Sequence, residues 1–442
     1  MTSRRNIIIK GNGLPAAMVA AYLGRMLPPE FYQLCCYGQA KSFKSEAHLA
    51  LCHSDLREFN RLLKIKEVDF IRHCDGVFSV GDRVSDEKGR DYINTYCPYG
   101  LSINGVSFMA ALQKSGASGQ LSDWEDCNLA AKMARTGKFL PPDPQGRPII
   151  GDYSYGYQIN PVKYRELLLK QAEAFGVSVS PLSDFSQNQA DKAFLIIECD
   201  TPDFNGGLIE TKDKQRLNHV HHQVSEDVVK TIFNTQNMKY EMSISSSDYR
   251  SAEKQIQGNL WEENILFLSK IPDLLSFLGD ATRLIQISVE RFMNLFPSGK
   301  SMDAEREEYN SAMRRIFSRF SDFQSILLAS SGFKGQSSEG LSDDAQFKLK
   351  LFSARGRLSV LDDDTLFQDH WVSMLLGQGY WPKGLNLMSK SLPDSEIQAF
   401  RDNYKQVVEK ALSQMPETSA FIRRTCLASE SSGHEESSSN AC

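Results

Sequence analysis

The chain has 442 residues, a net charge of −5 and 41% hydrophobic residues, values typical of a globular protein with two or three domains. The slightly acidic charge and the lack of a basic stripe argue against nucleic-acid binding. No apolar run approaches the ~20 residues that cross a bilayer, and Lys10 interrupts the first such run, which argues against a secretory signal. We therefore predict a cytoplasmic protein that binds neither nucleic acid nor a membrane.

The cysteines and histidines indicate no metal site. The nine cysteines are odd in number and form no C-x-x-C pair, which indicates reduced thiols. The cluster His219-Val220-His221-His222 has no Cys, Asp or Glu at zinc-ligand spacing. We predict that it forms a strand or loop without a metal.

The first predicted element is a buried strand, Ile7–Ile9, followed by the turn Gly11-Asn12-Gly13-Leu14-Pro15-Ala16 and a helix. This strand–turn–helix order, with the pattern GxGxxA, is typical of a dinucleotide-phosphate site. Gly13 has no Cβ to obstruct a pyrophosphate, Ala16 permits close packing of helix on strand, and Pro15 falls where its missing N–H is not needed. The phosphates would lie at the positive end of the helix, beside Leu14. Similar turns also close βα units that bind no ligand.

The ribose partner that completes this motif is missing. An acidic residue is expected about 20 residues after the turn, but the second predicted strand, residues 31–37, is followed by Gly38-Gln39. Glu30 lies at the wrong end of that strand. Either Tyr37 or Gln39 replaces the carboxylate, or the adenosine end is held loosely.

The remaining elements, taken in chain order, predict a mixed α/β (α+β) fold. Residues 81–152 are rich in Gly, Pro and Asp, which predicts a loop-rich insertion; a helix over 161–175 and a strand over 193–199 follow. Residues 201–258 indicate a β-rich covering segment, and the chain is mostly helical from Trp261. We predict a nucleotide-binding module over 1–300, a helical region over 301–425 and a disordered Ser/Glu-rich tail over 426–442.

Several of these pieces, in this order, resemble the flavin-dependent tryptophan halogenase family. Four stretches carry the resemblance: the Gly11–Ala16 turn and residues 156–164, 284–297 and 371–382. The resemblance implies a Rossmann-like FAD-binding module of the FAD-monooxygenase type with an added helical region. It also implies an aromatic small-molecule or peptide-borne substrate and a flavin reductase partner. It leaves the oligomeric state open.

One further fragment of the resemblance is Glu46-Ala47, which is similar to the end of the family's G-x-G-E-A-T segment. The resemblance therefore implies that Glu46 and Ala47 contact FAD, in addition to Gly11, Gly13, Leu14, Pro15, Ala16 and Tyr37, which the local pattern already predicts as cofactor contacts. Without the resemblance, Glu46 is explained as a residue that stabilises a helix start.

The residues that carry family chemistry are replaced. The family passes an oxidised halide to a catalytic lysine beside a glutamate, and aligning residues 74–78 with the family's strand puts Ser79 at the lysine position. Arg83 lies four residues on and stays protonated, so it could bind an anion. The glutamate falls at Gly279 or Asp280, and Asp280 is equally explained as a helix cap. The family's W-x-W-x-I-P signature is absent.

Three functions remain open. The first is an FAD-dependent oxygenase that has lost halide chemistry, because oxygen transfer to an aromatic ring needs no amine. The second is a halogenase-like protein without catalysis that serves as a binding or partner subunit. The third is an authentic halogenase with a displaced lysine, for which Lys270 is a candidate.

Overall fold

The apolar runs of the sequence form the central strands of three β-sheets. The computed structural model describes residues 4–97, 99–115, 121–143, 153–213, 217–252, 258–270, 281–297, 299, 302–359, 363, 366 and 368–427. The strands are β1 Arg5–Lys10, β2 Tyr32–Tyr37, β3 Leu51–Cys52, β4 Val77–Ser79, β5 Gly81–Asp86, β6 Asp91–Thr95, β7 Gly156–Gln158, β8 Ser178–Ser180, β9 Leu195–Glu198, β10 Gly207–Lys212, β11 Val220–Val224, β12 Val228–Asn234, β13 Met238–Ser245, β14 Trp261–Glu262 and β15 Ile265–Phe267.

The helices lie between the strands in the first half of the chain and dominate the second half. They are α1 Leu14–Met26, α2 Phe43–Glu46, α3 Asp55–Leu62, α4 Glu67–His73, α5 Phe108–Lys114, α6 Leu121–Glu125, α7 Leu129–Thr136, α8 Pro161–Ala174, α9 Gln187–Ala190, α10 Ser246–Ala252, α11 Ala281–Asn294, α12 Asp303–Ser331, α13 Asp343–Arg355, α14 Gln368–Gly377, α15 Asp394–Ser413 and α16 Thr418–Thr425. Short 3-10 helices cover Ala47–Ala50, Leu182–Asp184, Leu268–Lys270, Ser338–Gly340 and Leu387–Ser391. Among the described residues, no helix is both long and apolar enough to cross a membrane.

The first sheet has the strand order β14-β15-β9-β1-β2-β8, and its strands are parallel except for the β14–β15 pair. Its central strand, β1, pairs Ile8 with Cys35 of β2 and with Ile196 of β9. A strand with neighbours on both sides and both faces covered needs a continuous apolar run, which Ile7–Ile9 provides. This is the Rossmann-like module expected from the turn.

The second sheet has the order β10-β13-β12-β11-β5-β6. Strands β10 to β13 form the predicted β-rich covering segment, and β11 contains His221 and His222 of the histidine cluster, with His219 directly before it. The loop-rich insertion predicted over 81–152 is wrong for the described residues, which form β5, β6 and three helices, α5 to α7. The reason is tertiary: β5 pairs in parallel with β11, more than 130 residues further on, so that Val220 lies opposite Asp82.

The third sheet is small and antiparallel, with the order β3-β7-β4, and it contains Ser79. The C-terminal helices share one hydrophobic core with the sheets. Trp261 of β14 contacts Phe292 of α11 and Tyr309 of α12, with ring centroids 5.1 and 5.9 Å away. The domain boundary at residue 300 stays a prediction, and residues 428–442 of the predicted tail lie outside the described residues.

Candidate cofactor site

The predicted phosphate turn lies at the carboxyl end of β1. Ile7–Ile9 are fully buried, and Gly11 and Gly13 have φ angles of 152° and 85°, which glycine adopts without steric cost. A Cβ atom on Gly11 would lie 2.6 Å from the backbone nitrogen of Asp200. The local backbone therefore requires both glycines, whether or not a ligand binds.

Helix α1 begins at Leu14, directly after Gly13, as the sequence predicts. Pro15 stands in its first turn, and Leu14 and Ala16 are buried in the main core. The helix is 13 residues long and packs against the first sheet, so its N-terminus presents the partial positive charge of an aligned helix. The backbone therefore has the geometry expected of an anion site.

The N–H groups of this turn already have partners within the chain. Gly11 N–H donates to Tyr37 O at 3.0 Å, and Gly13 N–H donates to Gln39 O at 2.9 Å. Leu14 N–H donates to the Glu46 carboxylate oxygen Oε1 at 2.6 Å. These three N–H groups are therefore used in holding the turn to Tyr37, Gln39 and Glu46.

The Glu46 side chain packs against Gly13 of the turn. Only 1% of this residue is exposed, and its Oε2 atom accepts no hydrogen bond from the described residues. Its Cδ atom lies 2.7 Å from the position that a Cβ on Gly13 would take. Burial raises the pKa of Glu46, while the Leu14 N–H, Lys41 and Arg165 oppose the rise.

The segment between β2 and the end of α2, which contains Glu46, is bound to the segment after β9. Lys41 Nζ donates to Thr201 O at 2.5 Å and lies 3.0 Å from Asp203 Oδ1. Phe204 N–H donates to Ser45 O at 2.9 Å. No local sequence pattern reveals Lys41 or Asp203, because the contact joins segments 160 residues apart.

Tyr37 and Ala47 lie close to this turn in different ways. The Tyr37 side chain belongs to a small cluster with Ile8 on the face of the sheet opposite α1. Its hydroxyl accepts a hydrogen bond from Gln189 Nε2 at 2.8 Å, and its ring lies 5.5 Å from that of Phe185. Ala47 is fully buried and begins a 3-10 helix. The cofactor contacts assigned to both residues stay predictions.

In this arrangement the turn does not fit the pyrophosphate of FAD. The space above Gly13 is filled by the Glu46 carboxylate, and the Leu14 N–H is bonded to it. A phosphate placed there would meet a buried carboxylate of like charge, which is unfavourable. The glycine conformations fit a dinucleotide-binding turn, whereas the Glu46 carboxylate occupies the position of the pyrophosphate.

Ser79 and Arg83 provide no free amine. Ser79 is buried on β4, and its hydroxyl donates a long hydrogen bond of 3.4 Å to Gly81 O. Arg83 on β5 binds both carboxylate oxygens of Asp91, at 2.9 and 2.5 Å. Burial raises the pKa of Asp91, but Arg83 and Arg135 outweigh it and lower that pKa to about 2. Asp280 lies outside the described residues.

A buried polar cluster lies near Ser79. The Tyr96 hydroxyl donates to Asp82 Oδ1 at 2.9 Å, and the ring of His53 lies 4.6 Å from that of Tyr96. The His53 backbone lies against Gly156, which pairs with Ser79. No local spacing in the sequence indicates this cluster, because its members come from separate strands and loops.

The fold and the sequence both match known proteins. The family model for tryptophan halogenase matches residues 6–191 and 258–394. This chain belongs to the tryptophan halogenase family. Membership in the tryptophan halogenase family implies a flavin cofactor, an aromatic substrate and a flavin reductase as redox partner.

Solved halogenase structures share the whole architecture at low sequence identity. Xcc4156, a flavin-dependent halogenase from Xanthomonas campestris, is 20% identical, with 96% of this chain and 98% of that chain covered and a TM-score of 0.79. BrvH, a flavin-dependent halogenase from Brevundimonas sp. BAL3, is 15% identical over 96% and 99%, with a TM-score of 0.80. Tar14, a tryptophan C-6 chlorinase from taromycin biosynthesis, is 14% identical over 96% and 100%, with a TM-score of 0.77. No curated protein matches the sequence. The family's lysine position at Ser79 stays a prediction.

Proposed function

We propose that this member of the tryptophan halogenase family is an FAD-dependent oxygenase that acts on an aromatic ring without using halide. The substrate is a tryptophan-like small molecule or a tryptophan within a peptide. The observation that carries the proposal is the environment of Ser79. This buried hydroxyl cannot do the work of an ammonium group, and the guanidinium of Arg83 is already bound to Asp91.

The buried polar cluster supports chemistry on an aromatic ring. Oxygen transfer to a ring carbon leaves a proton that a base must remove, and general bases are side chains such as carboxylates and imidazoles. Asp82, Tyr96 and His53 supply a carboxylate, a phenol and an imidazole: the Tyr96 hydroxyl is bonded to Asp82, and its ring lies in tilted contact with that of His53. All three residues are buried, so a carboxylate and an imidazole, two kinds of general base, lie in one enclosed group.

The second candidate is a protein without catalysis that serves as a binding or partner subunit. It is favoured by Glu46, whose carboxylate fills the phosphate turn. The third, a halogenase that uses Lys270, has no such support. Lys270 Nζ lies 2.8 Å from Glu262 Oε1 and donates to Asn259 O at 3.0 Å, directly after β15 of the first sheet.

The test is to supply the protein with FAD, a flavin reductase, NADH and bromide, and to offer it tryptophan and tryptophan-containing peptides. We expect mass spectrometry to show the gain of one oxygen atom and no bromine. A brominated product would establish halogenase activity instead. Absence of both product and FAD binding, followed by quenching of FAD fluorescence, would favour the protein without catalysis.

A further inference from the structure

We propose that the Glu46 carboxylate is the resident ligand of the phosphate turn, and that FAD binds only after this side chain has moved away from the start of α1. The proposal rests on the proposed function only in naming FAD as the incoming dinucleotide. It concerns the competition between an internal carboxylate and a pyrophosphate for one site.

The Glu46 carboxylate lies at the positively charged start of helix α1. The N-terminus of a helix attracts anions, because its N–H groups and its macrodipole point toward them. In this chain the anion is internal: Glu46 Oε1 accepts the first N–H of α1 at 2.6 Å. The carboxylate thus makes the contact that a phosphate oxygen would make.

The other carboxylate oxygen of Glu46 is less well stabilised. Glu46 Oε2 is buried and accepts no hydrogen bond from the described residues. A buried polar atom without a partner is costly, so the enclosed position of Glu46 is stabilised at one oxygen and destabilised at the other. A group held in this way can be displaced by a ligand that uses the site more fully.

The side chains of Glu46 and Lys41 surround the open position at Gly13. Gly13 has no side chain, and the Glu46 carboxylate occupies the space that this absence leaves. The Cδ atom of Lys41 also approaches that space, to 3.2 Å from the position of a Cβ on Gly13. The Lys41 ammonium is bound to Asp203 at present, and its reach makes it the cation to balance a pyrophosphate once Glu46 has left.

The decisive experiment compares FAD binding to the wild type, E46A and E46Q by quenching of FAD fluorescence, with ADP and inorganic pyrophosphate as simpler probes. Glu46→Ala removes the internal ligand, so we expect all three probes to bind about 10-fold more tightly, the effect of one charged contact at a helix terminus. Glu46→Gln keeps the shape and the acceptor for Leu14 N–H. Its affinity should lie nearer the wild type than E46A.

A second measurement does not depend on any ligand. A methyl group at Gly13 collides with the Glu46 carboxylate, so G13A should lower the melting temperature of the wild type. In the E46A background the collision is gone, and only the cost of the positive φ and a milder contact with the flexible Lys41 side chain remain. We expect the loss in melting temperature to be clearly smaller there. Equal losses in the two backgrounds would count against the proposed contact.

The outcomes separate this inference from the oxygenase activity. Equal FAD affinity of wild type and E46A, or no binding to any variant, would overturn the inference. If the two affinities are equal and the wild type oxygenates its substrate, the proposed function stands alone, whereas absence of FAD binding to every variant counts against both proposals. Tighter binding by E46A without product from either protein would support the inference and count against the oxygenase.

Discussion

At the scale of single residues, the proposed role of buried Glu46 predicts that FAD binding depends on pH. Lys41, Arg165 and Asp203 are the charged groups that face it, and burial raises its pKa above the ordinary 4.5. The closed form therefore holds a proton more tightly than an open form with an exposed carboxyl, so acid favours closure. We predict that FAD affinity increases as the pH rises from about 4.5 through the pKa of buried Glu46 and then levels off, as fluorescence titrations at several pH values would show.

The control for this prediction is E46Q, whose amide does not titrate. The neighbouring His48 also responds to acid, because burial lowers its pKa to about 4. Any pH dependence that remains in E46Q belongs to His48 or other groups. An identical pH profile for wild type and E46Q would show that Glu46 is not the titrating group.

Glu125 illustrates how a single buried carboxylate joins several elements. Its Oε1 atom accepts the Ile93 N–H at 2.6 Å, and Arg135 donates to both carboxylate oxygens at 3.1 Å. Glu125→Ala leaves the buried Ile93 N–H unpaired and removes one of the two carboxylate partners of Arg135, which keeps Asp91, so we predict a loss of about 1–3 kcal/mol in the free energy of unfolding. Urea denaturation measures it. Glu58→Ala, which removes an exposed partner of Arg61, should leave stability nearly unchanged.

At the scale of elements, the capping of α8 supports the cofactor turn indirectly, because α8 packs along α1. Asn160 Oδ1 accepts the N–H groups of Val162 and Lys163 at 3.0 and 3.2 Å. Asn160→Ala should therefore cost about 1 kcal/mol, measurable as a lower urea midpoint. Ser54 precedes α3 without a capping hydrogen bond, so S54A is the matched control. Equal losses in the two variants would contradict the capping account.

The elements that the sequence predicts best are those with a strong local pattern. The β1–turn–α1 unit follows from the run Ile7–Ile9 and two glycines, and α8 follows from Pro161 and a helical period. The loop-rich prediction over residues 81–152 does not hold at β5 and β6, because Gly81–Asp86 mixes charged and small residues and acquires its order by pairing with β11. Helix α13, Asp343–Arg355, lies in the region predicted to be helical but was not located individually, since its buried face is narrow and consists of Ala345, Lys348 and Phe352.

The site was predictable to a similar extent. The sequence located the glycine turn and drew attention to Glu46. It could not show that the Glu46 carboxylate lies on the Leu14 N–H, because 32 residues separate the two and no periodicity connects them. The cluster of His53, Asp82 and Tyr96 was unpredictable for the same reason.

At the scale of the whole molecule, a single side chain bridges the helical region and the first sheet. Asn310 of α12 accepts the N–H groups of Leu260 and Trp261 at 2.9 Å each and donates to Trp261 O at 2.8 Å. These buried contacts, together with the shared hydrophobic core, couple the two parts of the chain. They give the predicted boundary at residue 300 an experimental test.

We predict that urea unfolding followed by tryptophan fluorescence and by circular dichroism gives coincident transitions. Asn310→Ala should shift both to lower urea by the same amount, because it leaves buried N–H groups unpaired. Asn259→Ala removes an exposed hydrogen bond from Arg314 of the same helix α12, so it should shift both transitions much less than N310A. Separate transitions, with only one sensitive to N310A, would show that residues 1–300 and 301–425 unfold independently.

The hydrogen bonds of the Gly11–Leu14 turn have a consequence for the life of the protein in the cell. Many cofactor proteins are incomplete until the cofactor fills their site, but here Tyr37, Gln39 and Glu46 already satisfy the turn. We therefore expect the chain to fold in the absence of flavin, and FAD binding to replace one anion, the Glu46 carboxylate, by another. Because the competent form is only a fraction of the population, apparent affinity falls by that fraction. Occupancy would then follow the supply of free FAD and would not remain constant.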